Sequence, residues 1–462
     1  MIVREIPHAD PVACFAPWRS APFAALLDSA AEGDPRSRYS YLAVEPARLL
    51  TATGDDVRLD GRPVGGDPFT VLAAELARWR IEGATGPVPF LGGAVGFLGY
   101  ELGRHLEELP QRHGNADTLP DMVIGFYDAI LAFDREARRG WILSSGLPET
   151  DPAARERRAS ARADALAVKL AALPEEPPPF AAAGGAWRFE LEPEDYVARV
   201  ERLLEYIRAG DLYQANFTGR FLAARPAAVA AFSLYRRLRR LSPAPFAAYL
   251  ACGPELQILS ASPERYLRLG ADGAIEARPI KGTRPRGATP AEDMALADEL
   301  RRSVKDRAEN LMIADLLRND IGRVAEIGSV RVPVLCGLET FASVHHLVSV
   351  VEGRLRGGLE AVDLLRAAFP GGSVTGAPKI RAMEIIDELE VARRGPYCGS
   401  IAWFGIDGAM DSSIVIRTLV ATRDRLIAQA GGGIVSDSDP AAEYEELRLK
   451  ARPLLAVLEG GA

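Results

Sequence analysis

Lys281 stands alone between Pro279-Ile280 and Gly282-Thr283, inside a cluster of arginines at Arg278, Arg284 and Arg286. A lysine becomes a nucleophile only when its ammonium gives up a proton, and neighbouring cations together with desolvation act in that direction. The segment before it reads as two strands, Glu264 to Leu269 and Ala274 to Ile280, joined at Asp272-Gly273, a favoured tight turn. This pattern predicts Lys281 at a strand end and puts Glu264, in Ser262-Pro263-Glu264-Arg265, at the head of the same hairpin. A carboxylic acid there can protonate a leaving group, or serve as an ion-pair partner of Arg265 or Arg278.

Two predicted helices carry acidic pairs at i, i+3, Asp306/Glu309 and Glu443/Glu446. Facing pairs would hold a hard cation such as magnesium, which takes oxygen ligands and keeps waters and substrate oxygens around it. Solvated helix faces with salt bridges would show the same spacing. Glu443 follows Gly431-Gly432-Gly433, whose bare amides allow an anion close, and Lys450 lies one turn beyond Glu446. Ser373-Val374-Thr375-Gly376-Ala377-Pro378-Lys379 leads from a loop into a helix, an arrangement suited to carboxylate or phosphate capture, without the spacing of a nucleotide loop. Arg417 ends the apolar run Ile414-Val415-Ile416 and requires either a ligand or a buried salt bridge. His345 and His346 alternate on one strand, so at most one faces a given site.

The elements that position these residues follow from periodicity and caps. A helix is predicted over 153–173, then a Pro/Ala/Gly-rich linker or surface loop at 174–186, separating an N-terminal region (1–173) from 187–462. Tyr196, Val200, Leu203, Leu204 and Ile207 recur at helical spacing and stop at Gly210, after which 211–217 reads as a strand. Thr289-Pro290-Ala291-Glu292 opens a helix predicted to run unbroken to about Asn319. Strands are expected at 343–355 and 399–421, and the last helix opens at Asp439-Pro440 and ends or bends at Pro453. The glycines of Leu91 to Tyr100 lack a following Lys-Ser/Thr pair and read as close packing within a sheet.

Composition removes several function classes. The 462 residues are 48% hydrophobic and 26% charged, an ordinary globular balance with no run long enough to span a bilayer, so no membrane partner is expected. The net charge of -8 argues against a nucleic-acid partner. Cys14, Cys252, Cys336 and Cys398 are widely separated, which fits reduced thiols in a cytoplasmic protein rather than a disulfide framework.

Ser262-Pro263-Glu264, Gly282-Thr283-Arg284, Glu309 through Leu317-Arg318-Asn319-Asp320, His346-Leu347-Val348, Thr375 to Lys379, Ile416-Arg417-Thr418 and Gly431 through Glu446 together resemble the chorismate-utilising enzymes. That family includes anthranilate, aminodeoxychorismate, isochorismate and salicylate synthases. The resemblance implies an α/β (α+β) fold of two packed, mainly antiparallel sheets flanked by helices. It implies Mg2+ on Glu309 and Glu446, supported by Asp306 and Glu443. Arg417 and Tyr397 would hold the enolpyruvyl carboxylate, and Glu264 would be the acid or acid/base. Thr283, Thr375, Gly376, Gly432, Gly433 and Lys450 would line the pocket, with His346 beside the ring.

Within the family, members that aminate chorismate at C4 commonly carry lysine in Pro-Ile-x-Gly-Thr and anthranilate synthases usually carry alanine. Pro279-Ile280-Lys281-Gly282-Thr283 therefore favours the large component of an aminodeoxychorismate synthase, with anthranilate synthase as the alternative. Isomerases of the family place a lysine base in the strand that here reads Gln214-Ala215-Asn216. Leu27 and Ser29, Tyr39 and Ser40, and Pro245 and Phe246 resemble the tryptophan pocket of relatives, with Asp28 where glutamate is commoner. No glutaminase elbow surrounds any cysteine, so ammonia is expected from solution or from a separate glutamine amidotransferase subunit.

Overall fold

Alternate residues of the strands Tyr39–Ala43, Ala129–Asp134 and Arg139–Ser144 belong to two different hydrophobic clusters. Tyr41, Ala43, Ile130, Ala132, Trp141 and Leu143 join one, and Leu42, Leu131, Phe133 and Ile142 join the other. Side chains on a strand point to opposite faces, so a strand that is apolar in both registers is covered on both sides. The computed structural model, which describes residues 1–173, 184–341 and 344–459, shows what covers them. One face meets a second sheet, and the other lies beneath helices that include Pro152–Ala171, Pro193–Ala209, Ala231–Leu241, Lys379–Leu389 and Pro440–Leu455.

Each sheet has twelve strands. Their pairings are antiparallel, as where Ala25–Asp28 meets Phe246–Ala251 and Gly93–Leu98 meets Ser400–Gly405. Those two pairings join early chain to late chain, and residues 1–173 and 187–462 both contribute strands to both sheets. Residues 174–183 of the expected linker lie outside the described residues, as does Ser343 at the start of an expected strand. Among the described residues, no helix is long and apolar enough to cross a membrane, and all four cysteines are free.

Several expected elements appear as read. Helix Pro193–Ala209 ends on Gly210 in the left-handed region at φ 86°. The strand Gly93–Leu98 is packed so closely that a Cβ on Gly96 would lie 1.9 Å from the Val123 carbonyl, the structural role assigned to that glycine run. Pro453 falls within Pro440–Leu455 and does not stop it before Leu455.

Three expectations change. The helix from Pro290 is two helices, Pro290–Arg302 and Val304–Gly322, because Ser303 leaves the helical region and caps the second through Asp306 N, 3.2 Å away. The run 399–421 is three strands, Ser400–Gly405, Met410–Ile414 and Thr418–Ala421, and the chain passes from one sheet to the other between the last two. Lys281 does not end the hairpin. It is the second residue of a separate strand, Ile280–Pro285, which is the edge of the second sheet and pairs only with Val344–Arg354 among the described residues.

Candidate active site

The edge strand presents Lys281 opposite Leu347, with a register shift between Lys281 and Thr283 that Gly282 absorbs at φ 80°. A Cβ on Gly282 would lie 2.9 Å from that of Asp306, so helix Val304–Gly322 presses directly on this strand. Lys281 Nζ donates to the Ser373 carbonyl at 3.4 Å. The arginines expected to press on it are engaged elsewhere: Arg278 with Glu276 and Glu339, Arg284 with Glu299 and Asp306, Arg286 with Asp293. The charges that Lys281 meets are instead the carboxylates of Glu264, Glu309 and Glu446.

Glu264 is 8% exposed and follows the strand Gln257–Ser262. Burial raises its pKa, against Lys281, the Ser373 hydroxyl, the Ile280 amide and Arg36, so the acid form is held longer than at the surface. The salt bridges weighed for it do not form: Arg265 binds Asp411 and Glu276, and Arg278 binds Glu276 and Glu339. His346 receives or donates one hydrogen bond with Thr283 Oγ1 at 2.8 Å, and its pKa falls to about 4, by burial first and then by Arg36. His345 turns the other way, between Asp293 and Thr340, as strand alternation requires.

Helices Val304–Gly322 and Pro440–Leu455 bring Glu309 and Glu443 within electrostatic reach of each other, and Glu443 within reach of Glu446. Burial raises Glu309, and Asp306 and Glu443 push the same way against Lys281 and Lys305. Burial also raises Glu443, opposed by a hydrogen bond from Ser438 Oγ at 2.7 Å. Glu446 differs: burial works against its charge, but Lys450 Nζ at 2.6 Å and the more distant Lys305 and Lys281 carry its pKa below the usual value. Asp306, besides acting on Glu309, pairs with Arg284 3.2 Å away. Among the described residues no three His, Cys, Asp or Glu side chains form a ready-made cage. Glu309, Glu443 and Glu446 offer the carboxylate oxygens that a magnesium ion, taking a few such ligands and completing its shell with water and substrate, would use.

Beside Glu446 and Lys450 lies a guanidinium whose chemistry suits a carboxylate. Arg417 lies in the crossing between sheets, at φ 53°, and makes no ion pair among the described residues; it donates to the Lys450 carbonyl. Burial lowers its pKa, while Tyr397 and Glu446 nearby favour its charge. A half-buried, unpaired guanidinium is costly until an anion meets it. Tyr397 is buried beside it. Thr375 is fully buried, with its hydroxyl donating to the Gly371 carbonyl at 3.0 Å, and Gly376 packs where a Cβ would lie 2.1 Å from the Gln214 carbonyl.

Gly431, Gly432 and Gly433 belong to the strand Arg425–Ile434, paired with Gln214–Ala224. Its pairing with Thr418–Ala421 runs only from Leu419 opposite Ala428 to Ala421 opposite Leu426, so the glycines keep one edge free of that strand. A Cβ on Gly432 would lie 3.0 Å from Glu443 Oε2 and 3.6 Å from Lys450 Nζ, and that bare position keeps the floor of the site open.

Sequence reasoning passed over four residues here. Lys305 and Ser438 address the carboxylates, and Ser373 touches both Lys281 and Glu264. Gln214, noted only as a missing lysine, is fully buried with neither side-chain amide atom partnered, beside Gly433. Only Ser373 had a signal, its place in the loop-to-helix motif.

A second cavity of about 590 Å3 lies between the sheets. Leu27, Ser29, Tyr39, Pro245 and Phe246 line it, together with Tyr41, Trp403 and Arg36. Ser40 does not; it lies behind the wall, where its hydroxyl receives the Ser29 amide at 3.2 Å. Asp28 is held by Tyr235 and Arg239.

Residues 24–456 match the model of a family described as chorismate binding enzyme. The chain is 45% identical to "Aminodeoxychorismate synthase component 1" of Klebsiella aerogenes over 96% of each chain. It is 42% identical to "Anthranilate synthase component 1" of Thermus thermophilus, over 95% of this chain and 93% of that one. Among solved structures, anthranilate synthase component I from Streptococcus pneumoniae superposes with a TM-score of 0.81 at 33% identity, covering 93% of each chain.

Proposed function

Since this chain belongs to the chorismate-binding enzyme family, we propose that it aminates chorismate at C4 with ammonia, giving 4-amino-4-deoxychorismate. The observation that carries this reading is Lys281, which shares the neighbourhood of the buried acid Glu264 through Ser373. An enzyme that aminates directly with ammonia has no need of an amine there.

The residues act as follows. Arg417 and Tyr397 hold the enolpyruvyl carboxylate, and Thr375 with the edge of Gly432 and Gly433 confines the rest of the substrate. Glu264 protonates the C4 hydroxyl as it leaves, while the Lys281 amine adds at C2. Ammonia then attacks C4 and the bond to Lys281 breaks, restoring the free amine. Each stage replaces one difficult displacement with an easier one. Magnesium held by Glu309 and Glu446, with Glu443 beside them, would neutralise the ring carboxylate of the substrate. His346, kept neutral by burial, offers a hydrogen bond beside the ring without adding charge.

Ammonia is supplied by a separate glutamine amidotransferase component, which the relative's designation "component 1" supports. The product is a precursor for p-aminobenzoate and folate. The cavity between the sheets is the counterpart of the tryptophan pocket of relatives.

The alternative is C2 amination with loss of pyruvate, which the 42% identity to a relative named anthranilate synthase component 1 favours. Mass spectrometry of the product from purified protein, chorismate, magnesium and an ammonium salt separates the two. A product that retains the enolpyruvyl group and carries one amine in place of a hydroxyl is expected. Fluorescent anthranilate with released pyruvate would overturn the C4 reading.

A further inference from the structure

The N-terminal ends of helices Val304–Gly322 and Pro440–Leu455 converge, and a lysine stands where they meet. Lys305 is the second residue of the first helix, two positions after its cap Ser303. A cation in the first turn opposes the helix macrodipole, whose positive end lies there, so local structure gives no reason for it. The reason is tertiary: Nζ of Lys305 lies 3.8 Å from Oε1 of Glu443, in the first turn of the second helix, and its charge is also felt at Glu309 and Glu446. Lys450, by contrast, is bound twice, to Glu446 at 2.6 Å and to the Gly431 carbonyl at 2.9 Å. Of these two lysines, Lys305 is thus the loosely held one, with 43% of its side chain exposed against 32% for Lys450.

The carboxylates are arranged around ammonium groups and not as a preformed metal cage. We infer that Lys305 is a resident counter-ion of the Glu309, Glu443 and Glu446 group, which a divalent cation must displace to bind. The inference rests on the magnesium reading above. While the site is free of metal, Lys305 offsets repulsion among the buried Glu443, the half-buried Glu309 and the exposed Glu446; when the metal enters, its long side chain swings into solvent. Metal affinity is thereby held down to a level at which substrate oxygens are needed to complete binding.

The test is Mg2+ titration by calorimetry of the whole chain without substrate, at low and high ionic strength, for the wild type, Lys305→Met and Lys305→Arg. Removing the resident ammonium that a divalent ion must displace should tighten Mg2+ binding about tenfold at low salt, and less as salt rises. Lys305→Arg keeps the charge and should bind as the wild type does. The metal-free midpoint of Lys305→Met should fall below that of the wild type, so that Mg2+ raises its Tm by more. Equal or weaker Mg2+ binding by Lys305→Met would overturn the counter-ion role. Absence of Mg2+ binding by every form, with or without chorismate, would overturn the magnesium reading and this inference with it.

Discussion

The cavity between the sheets and the region around Lys281 treat charge in opposite ways. Around the cavity between the sheets most ions are matched to one another, Arg36 to Asp34, Arg38 to Asp134, Arg265 to Asp411 and Glu276, Arg278 to Glu339, while the exposed Arg268 lines it without an ion pair among the described residues. Around Lys281, Arg417 makes no ion pair among the described residues, and neither do Glu264 and Glu309, although burial disfavours the charge on all three. A wall of internally satisfied ions is stable without an occupant. A site with unmatched buried charges has been kept ready for one.

If the contrast is real, substitutions at the two places should break different properties. Lys281→Ala should lower formation of the C4-amino product by about 10³-fold or more, as loss of a covalent nucleophile does, with chorismate binding largely retained. Turnover near that of the wild type would end the covalent role. Glu264→Gln should cost about 10²- to 10⁴-fold in kcat. Because burial raises the pKa of Glu264, the wild-type rate should fall as pH climbs through that raised value, and the Gln variant should lack this limb of its pH profile.

In the cavity between the sheets, Arg265→Met leaves Asp411 without its partner and Glu276 with Arg278 alone, and should destabilise the fold by about 3 kcal/mol in chemical denaturation. The kcat of molecules that remain folded should stay close to the wild-type value; a large loss would mean that the two regions are coupled. Arg417→Met removes a charged hydrogen-bond donor and should raise the KM for chorismate about 10- to 100-fold, with stability unchanged or improved, since an unmatched buried charge goes with it.

The smallest effect concerns His346. Its folded pKa of about 4 lies below the ordinary 6.5, so the unfolded chain takes up the proton first and stability should decline as pH falls from about 6.5 toward 4. Thermal melts of His346→Gln should lack that share of the decline.

Much of the site was legible because its chemistry is local in the chain. The i, i+3 spacing of Glu443 and Glu446 put both carboxylates toward the same group, and strand alternation sent His346 into the site and His345 away from it. At Asp306 the same spacing leaves a carboxylate that still acts on Glu309 but also takes an ion pair from Arg284 on the adjoining strand. The arginines flanking Lys281 were misread. Proximity in sequence gave Arg278, Arg284 and Arg286 as its neighbours, whereas each side chain reaches a carboxylate 2 to 61 residues away and Lys281 faces the carboxylates of other segments.

Periodicity, caps and turn residues determined which segments are helices and strands: Gly210 stops a helix and Gly408, at φ 85°, turns the strand pair after Gly405. The sequence alone also determined the residue types available for chemistry. It could not specify that Ser303 would divide a helix: serine favours a helix start over an interior, yet whether a serine within a helical run breaks it depends on the elements packed against it. Nor could it specify that the chain would change sheets at Arg417, or that Lys281 would lie on a sheet edge. Those outcomes depend on long-range strand pairing and burial. They decide which charges meet, because an electrostatic interaction depends on distance and surrounding dielectric and not on separation along the chain.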